Sequence, residues 1–150
     1  MWKKIWITSP FRILDKTKPY NPCDCWRNFY QGEVKIGELL KNANINYSIQ
    51  KTFPNLKGDK QVLQFDFYIN NQYLIEYDGI GHYEPRCFGG MTQEQAILAF
   101  HQQQKYDNLK NQYCKEHNIP LIRIPYTHLS HLCLEDLLLE TSKFIYKEED

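Results

Sequence analysis

The run Val62-Leu-Gln-Phe-Asp-Phe-Tyr-Ile69, followed by Asn70-Asn71 and then Tyr73-Leu-Ile-Glu-Tyr-Asp78-Gly-Ile-Gly-His82, decides how the rest of the chain is read. The first run alternates: Leu63, Phe65, Phe67 and Ile69 form one apolar face, which puts Asp66 on the opposite face with Gln64 and Tyr68. Asn70-Asn71 suits a tight hairpin turn, after which Tyr73 to Asp78 is expected to pair back antiparallel. Tyr73, Ile75 and Tyr77 then share one face, and Leu74, Glu76 and Asp78 the other. Gly79 ends the strand and is expected to allow a sharp bend that returns His82 toward the acidic face.

Asp66, Glu76, Asp78 and His82 thus crowd one end of a hairpin. Carboxylates converging from adjacent strands repel one another unless a cation lies between them, an arrangement suited to a hard divalent metal that activates water at phosphorus. Asp66 alone reads as a solvated polar-face residue. Glu76 and Asp78 on one face of an otherwise apolar strand are harder to explain without a cation.

Outward from the hairpin, Val34, Ile36, Leu39, Leu40 and Ala43 give a helical stripe over about Gly32 to Ala43, with Asn44 as a stop. Tyr47 to Phe53 reads as a strand and Pro54 to Gly58 as a turn. Glu84 to Thr92 is a loop. Thr92 is an N-cap candidate with Gln95 completing a capping box, for a long helix reaching about His117. Its inner face is expected along Ala96, Ala99, Gln103, Tyr106, Leu109 and Tyr113. Leu121 to Ile124 is a strand, and Leu134 to Lys147 a last amphipathic helix. Trp2 to Ile7 is a candidate short strand in an N-terminal extension of residues 1–30, ahead of a main domain of residues 31–150. The order predicts an α/β protein with a mixed sheet and helices on both faces.

The chain is 150 residues with 42% hydrophobic and 15% aromatic content, enough for one buried core and against disorder. No run of about 18 apolar residues suggests a membrane span, and Met1-Trp-Lys-Lys-Ile-Trp lacks the apolar core of a signal peptide. Five Cys at irregular spacing fit reduced thiols in a cytoplasmic protein better than a disulfide framework. Cys23-Asp-Cys25 is the one close pair; with His82 and Cys87 it is a minor candidate for zinc. Eighteen basic and eighteen acidic residues balance. That counts against tight autonomous binding to nucleic acid and leaves room for a homodimer or partner subunit that supplies affinity.

These elements and residues resemble the PD-(D/E)XK nuclease superfamily, with its restriction-endonuclease-like fold. The resemblance is to its very-short-patch-repair-like branch, which includes mismatch-nicking and phage-type homing endonucleases. It covers about Gln31 to Tyr126 and rests on Gly32-Glu33, Phe65-Asp66-Phe67, Ile75-Glu-Tyr-Asp-Gly-Ile-Gly-His82, Lys105-Tyr-Asp107-Asn-Leu-Lys110 and Leu121-Ile-Arg-Ile-Pro125.

The resemblance implies a Mg²⁺- or Mn²⁺-dependent DNA endonuclease of bacterial, phage or viral origin. Asp66 and Glu76, with Asp78 beside them, would hold the metal. His82 would be general base, or would protonate the leaving oxygen. Glu33 and Asp107 would position water or the imidazole. Asp78 stands where the superfamily most often has Lys. Lys105, Lys110, Arg86 and Arg123 are candidate phosphate contacts, and Tyr83 and Phe88 can stack on bases or pack in the core. The alternatives are a non-catalytic nucleic-acid- or partner-binding module on the same fold, and a nuclease acting on RNA or branched DNA.

Overall fold

The computed structural model of the chain describes residues 24–148, with side chains from Tyr30 onward. Helix α1 (Asp24–Asn42) leads to strands β1 (Tyr47–Lys57), β2 (Val62–Ile69) and β3 (Tyr73–Asp78). A 3-10 turn (Ile80–His82), helix α2 (Gln93–Glu116), strand β4 (Leu121–Pro125) and two further 3-10 turns complete the order. The expected strand over Trp2 to Ile7, and the Cys23 and Cys25 side chains proposed for zinc, lie outside the described residues. Helix α1 crosses the boundary expected after residue 30.

The strands form one sheet in the order β1-β2-β3-β4. β1, β2 and β3 pair antiparallel, and β4 lies parallel to β3, as a crossover through α2 requires. The protein is therefore α/β with a mixed sheet. Ile36 and Leu40 of α1 pack on one face with Ile69, Ile75, Ile122 and Ile124. Cys114 of α2 packs on the other with Leu63, Phe65, Leu74 and Leu121. No helix among the described residues is long and apolar enough to cross a membrane.

Local chemistry sets the turns. Asn70 and Asn71 both take left-handed backbone (φ 49° and 55°), as a two-residue hairpin needs. Helix α1 ends on Asn44 (φ 54°), where Ile45 N donates to Leu40 O and Asn44 N to Lys41 O. Asn118 closes α2 in the same manner, through Ile119 N to Cys114 O. The capping box forms as expected: Gln95 N donates to Thr92 Oγ1 (3.2 Å) and Thr92 N to Gln95 Oε1 (2.9 Å). Gly32 lies so close to β3 that a Cβ there would stand 2.3 Å from the Tyr77 ring. The absence of a side chain lets α1 dock with Glu33 over the strand ends.

Four expectations need correction. First, Leu63, Phe65, Phe67 and Ile69 do not share a face: the first two belong to the α2 layer and the last two to the α1 layer. Asp66 is where the alternation breaks. Gln50 stands across from it in β1 with φ 52°, and no pair joins the two although Ile49↔Phe67 and Lys51↔Phe65 flank them. An irregular residue in each strand shifts the pleat by one step and swaps the faces.

Second, Leu134 to Lys147 is not a helix. Only Leu134–Leu137 winds, as a 3-10 turn, and Ile145 then bridges Ile122. Arg123 N donates to Phe144 O (3.0 Å) and Tyr146 N to Leu121 O (2.7 Å), which covers the otherwise open edge of β4. Third, Gly79 is extended (φ −65°, ψ 172°), a conformation open to any residue; the 3-10 turn after it makes the bend. Fourth, β1 continues through Pro54 to Lys57, and the turn falls at Gly58–Gln61. An edge strand tolerates a proline there.

Candidate active site

Because β2 breaks at Asp66, the ladder between β2 and β3 stops at Phe67↔Ile75 and carboxylates take over its hydrogen bonds. Asp66 N donates to Glu76 Oε1 (3.2 Å), and Tyr77 N donates to Asp66 Oδ2 (2.7 Å). The two acids are thus fixed to each other's strands by the backbone. They form the floor of a cleft of about 730 Å³, which Glu33 of α1 and Lys110 of α2 also line. Lys110 Nζ, almost fully buried, donates to both Glu76 oxygens at 3.0 Å.

One lysine among three carboxylates leaves a surplus of negative charge. Burial and the neighbouring Glu76 push the Glu33 carboxyl up to about 7. Burial and Glu33 push Asp66 to about 7; burial and Asp66 push Glu76 to about 8 although Lys110 pulls the other way. Burial opposes the charge on Lys110, but Glu76 and Asp66 outweigh it and hold the ammonium above its ordinary value.

A second network flanks the floor. Arg123 of β4 grips Asp78 with two bonds, Nε to Oδ2 and Nη2 to Oδ1, both 2.8 Å. The same guanidinium donates to Asp107 Oδ1 (2.9 Å) and to Asn111 Oδ1 (2.8 Å). Asp107 Oδ2 in turn lies 2.8 Å from His82 Nδ1. A carboxylate can only accept, so Nδ1 carries the proton of this bond, which leaves Nε2 outside it. Gln103 Nε2 donates to Asp107 Oδ1 (3.1 Å) and sits 3.3 Å from the same Nδ1. Burial works against the Asp107 charge, but His82 and Arg123 hold its carboxyl below the usual range.

The structure therefore brings Asp66, Glu76 and Glu33 together and places the His82–Asp107 pair beside them. Asp78 is gripped through both its oxygens by Arg123 and has His82 Nδ1 3.5 Å from Oδ1, as Glu76 is bonded through both its oxygens by Lys110. Arg123 and Lys110 were expected to face nucleic acid. Arg123 is spent on internal carboxylates, and Lys110 reaches inward to Glu76 rather than outward. Lys105 pairs with Asp59 on the exposed surface (2.6 Å), and Arg86 pairs with exposed Glu84 at the cleft mouth. Cys87 bonds Gln93 (Sγ to Oε1, 3.7 Å), away from His82's partners.

Sequence reasoning missed Lys110 as a floor residue and Arg123 as the clamp. The signal was available in α2. Ala96, Gln103, Asp107, Lys110 and Cys114 recur every three to four residues, or a multiple of that, so the stripe that faces the sheet is polar at its centre.

Among the described residues no three His, Cys, Asp or Glu form a ready metal cage. The donor set still suits a hard ion. Mg²⁺ keeps several of its waters and needs only one or two carboxylates, and the surplus charge on Glu33, Asp66 and Glu76 is what a cation would relieve. No family model, curated protein or solved structure matches this chain.

Proposed function

We propose that this chain is a Mg²⁺- or Mn²⁺-dependent DNA endonuclease with a restriction-endonuclease-like fold, similar to the very-short-patch-repair-like branch of the PD-(D/E)XK superfamily. One observation carries the reading: Glu33, Asp66 and Glu76 line one cleft with a single lysine, beside a histidine held by its own carboxylate. A structural ion pair needs one acid per base; three acids crowded into a cleft are costly unless they bind a cation.

Asp66 and Glu76 would hold the ion, with Glu33 lining the same cleft. The bound ion supplies a water of lowered pKa and a sink for charge on the phosphate. Lys110 stands in for the lysine absent at position 78, donated from α2 instead of β3, and balances charge as the phosphate enters. His82 Nε2, freed by the Nδ1–Asp107 bond, takes the proton of the attacking water or returns one to the leaving oxygen. Asp78 and Arg123 are positioning residues: they fix Asp107, and through it the imidazole. Net neutrality points to a second copy or partner subunit for much of the DNA affinity.

Nicking of supercoiled plasmid with Mg²⁺ or Mn²⁺ tests the proposal. Asp66→Ala should remove detectable cleavage, and His82→Ala should slow it by about 10²–10⁴-fold. Full activity in both variants refutes the assignment. Arg123→Lys keeps the charge but loses the two-pronged grip on Asp78. It should lower kcat by about 10–100-fold, the usual cost of losing an orienting partner, with KM and metal binding little changed. A purely structural arginine would lower melting temperature without that split.

A further inference from the structure

The cleft has two unlike parts. Beyond the charged floor it is lined by Ala96, Ala99 and Phe100 of α2 and by Phe88 and Met91 of the preceding loop. Ala96, Ala99, Phe100 and Gln103 fall on one helix face, and Gln103 touches both His82 and Asp107. At 1.5 Å per residue, Ala99 and Ala96 stand about 6 and 10 Å along the axis from Gln103. The apolar wall therefore begins within one nucleotide's reach of the imidazole. Met91 is 40% exposed, and Ala99 is exposed as well, so apolar atoms face the open cleft.

Phosphodiester hydrolysis uses none of these residues. What adjoins a phosphate in nucleic acid is a sugar and a flat, apolar-faced base. In continuous duplex both faces of that base are covered by its neighbours, so only its edges are presented. An apolar wall with aromatic rings takes a base by its face, after it has left the stack. Ala99 keeps the exposed wall low over buried Ala96, and the cleft volume lies within the range of small-ligand sites, room enough for a base next to the reacting phosphate.

We propose that this wall seats the nucleobase adjoining the scissile phosphate, so that the preferred substrate is DNA with an unstacked nucleotide, in a bulge, gap or single strand, rather than continuous duplex. The proposal rests on the nuclease reading for the identity of the floor, but its binding arm does not need catalysis.

Three oligonucleotides test it: a duplex with a one-nucleotide bulge, the same duplex with that nucleotide abasic, and the continuous duplex. Binding is measured by fluorescence anisotropy with Ca²⁺, and cleavage separately with Mg²⁺. The chain should bind the base-bearing bulge about tenfold more tightly than either control, the scale of one stacked base. Ala99→Leu, which fills the wall with a good helix former, should erase that preference, and His82→Ala should keep it. Equal binding of base-bearing and abasic bulges, or an unchanged preference in Ala99→Leu, overturns the subsite. Base-dependent binding without any cleavage supports the subsite and counts against the hydrolytic reading instead.

Discussion

Above pH 8, where Glu76 is ionised, Lys110→Met should destabilise the chain by about 3–5 kcal/mol, the cost of leaving one member of a buried ion pair alone, and it should abolish cleavage. The lysine is 9% exposed, bonds both Glu76 oxygens, and lies over the Phe65 ring at 5.3 Å. Methionine replaces the aliphatic stem, so packing is largely kept and the loss reports the charge. Without Lys110, Glu76 faces Asp66 with only Arg123 left to temper it. The damage should therefore shrink toward pH 5, where Glu76 is protonated in either protein.

Adding Glu76→Gln separates structure from chemistry. Glutamine still accepts the Asp66 N–H through its carbonyl oxygen but carries no charge, so the double variant should regain most of the lost stability. Cleavage should stay absent, because a carboxylate ligand and the cation are both gone. Urea midpoints and plasmid nicking on the two variants check this. A single variant as stable as the parent chain means that Lys110 is not the counter-charge. A double variant that cuts DNA means that Glu76 holds no metal.

The same lysine shows how far local pattern carries. Position 78 lacks the lysine that the resemblance leads one to expect, and nothing within β3 says where a replacement comes from. Lys110 becomes visible only once α2 is laid across the sheet, because its apolar neighbours Leu109 and Tyr113 advertise a different inner face. Short-range chemistry was legible: Asn70-Asn71 demands a hairpin, Thr92 with Gln95 a helix start, Asn44 and Asn118 helix ends. The placement of Glu76 with Asp78 on one side of β3 follows from a period of two.

The period failed at Asp66 for a physical reason. Phe65 and Phe67 are both apolar, so a pleat that swaps faces between them leaves the same letters as one that does not. At the break the Asp66 carboxylate accepts from Tyr77 N of β3, while Asp66 N donates to Glu76 Oε1. The C-terminal segment misled for another reason. Leu134, Leu137, Leu138 and Ile145 satisfy helical spacing, but β4 lies at an edge, and the main-chain groups of Arg123 and Leu121 are satisfied by Phe144 and Tyr146 in extended form. Edge protection is a property of the assembled sheet and is invisible in the segment itself.

The metal-free protein should lose stability as pH rises from about 5 to 8.5, and Mg²⁺ or Mn²⁺ should restore it most at the alkaline end. Glu33, Asp66 and Glu76 have ordinary values of 4.5, 3.8 and 4.5, raised in the folded chain to about 7, 7 and 8. Between those limits the folded state binds more protons than the unfolded one, so the slope of stability with pH is negative. The cost is absent below the unfolded values and complete once pH passes the folded ones. The groups share their protons, so the shifts do not add; two units of net displacement already amount to about 3 kcal/mol. Asp107, held low by His82 and Arg123, has the opposite sign, but its contribution is lost only below the ordinary carboxylate range, outside this window. A bound divalent ion favours the ionised acids and competes with their protons. The rise in melting temperature with Mn²⁺ should therefore be small at pH 5 and large at pH 8.5, and Asp66→Asn should flatten both the pH slope and the Mn²⁺ effect. Stability that climbs from pH 5 to 8.5 without metal, or a Mn²⁺ effect indifferent to Asp66, would show that the three acids are not an uncompensated cluster.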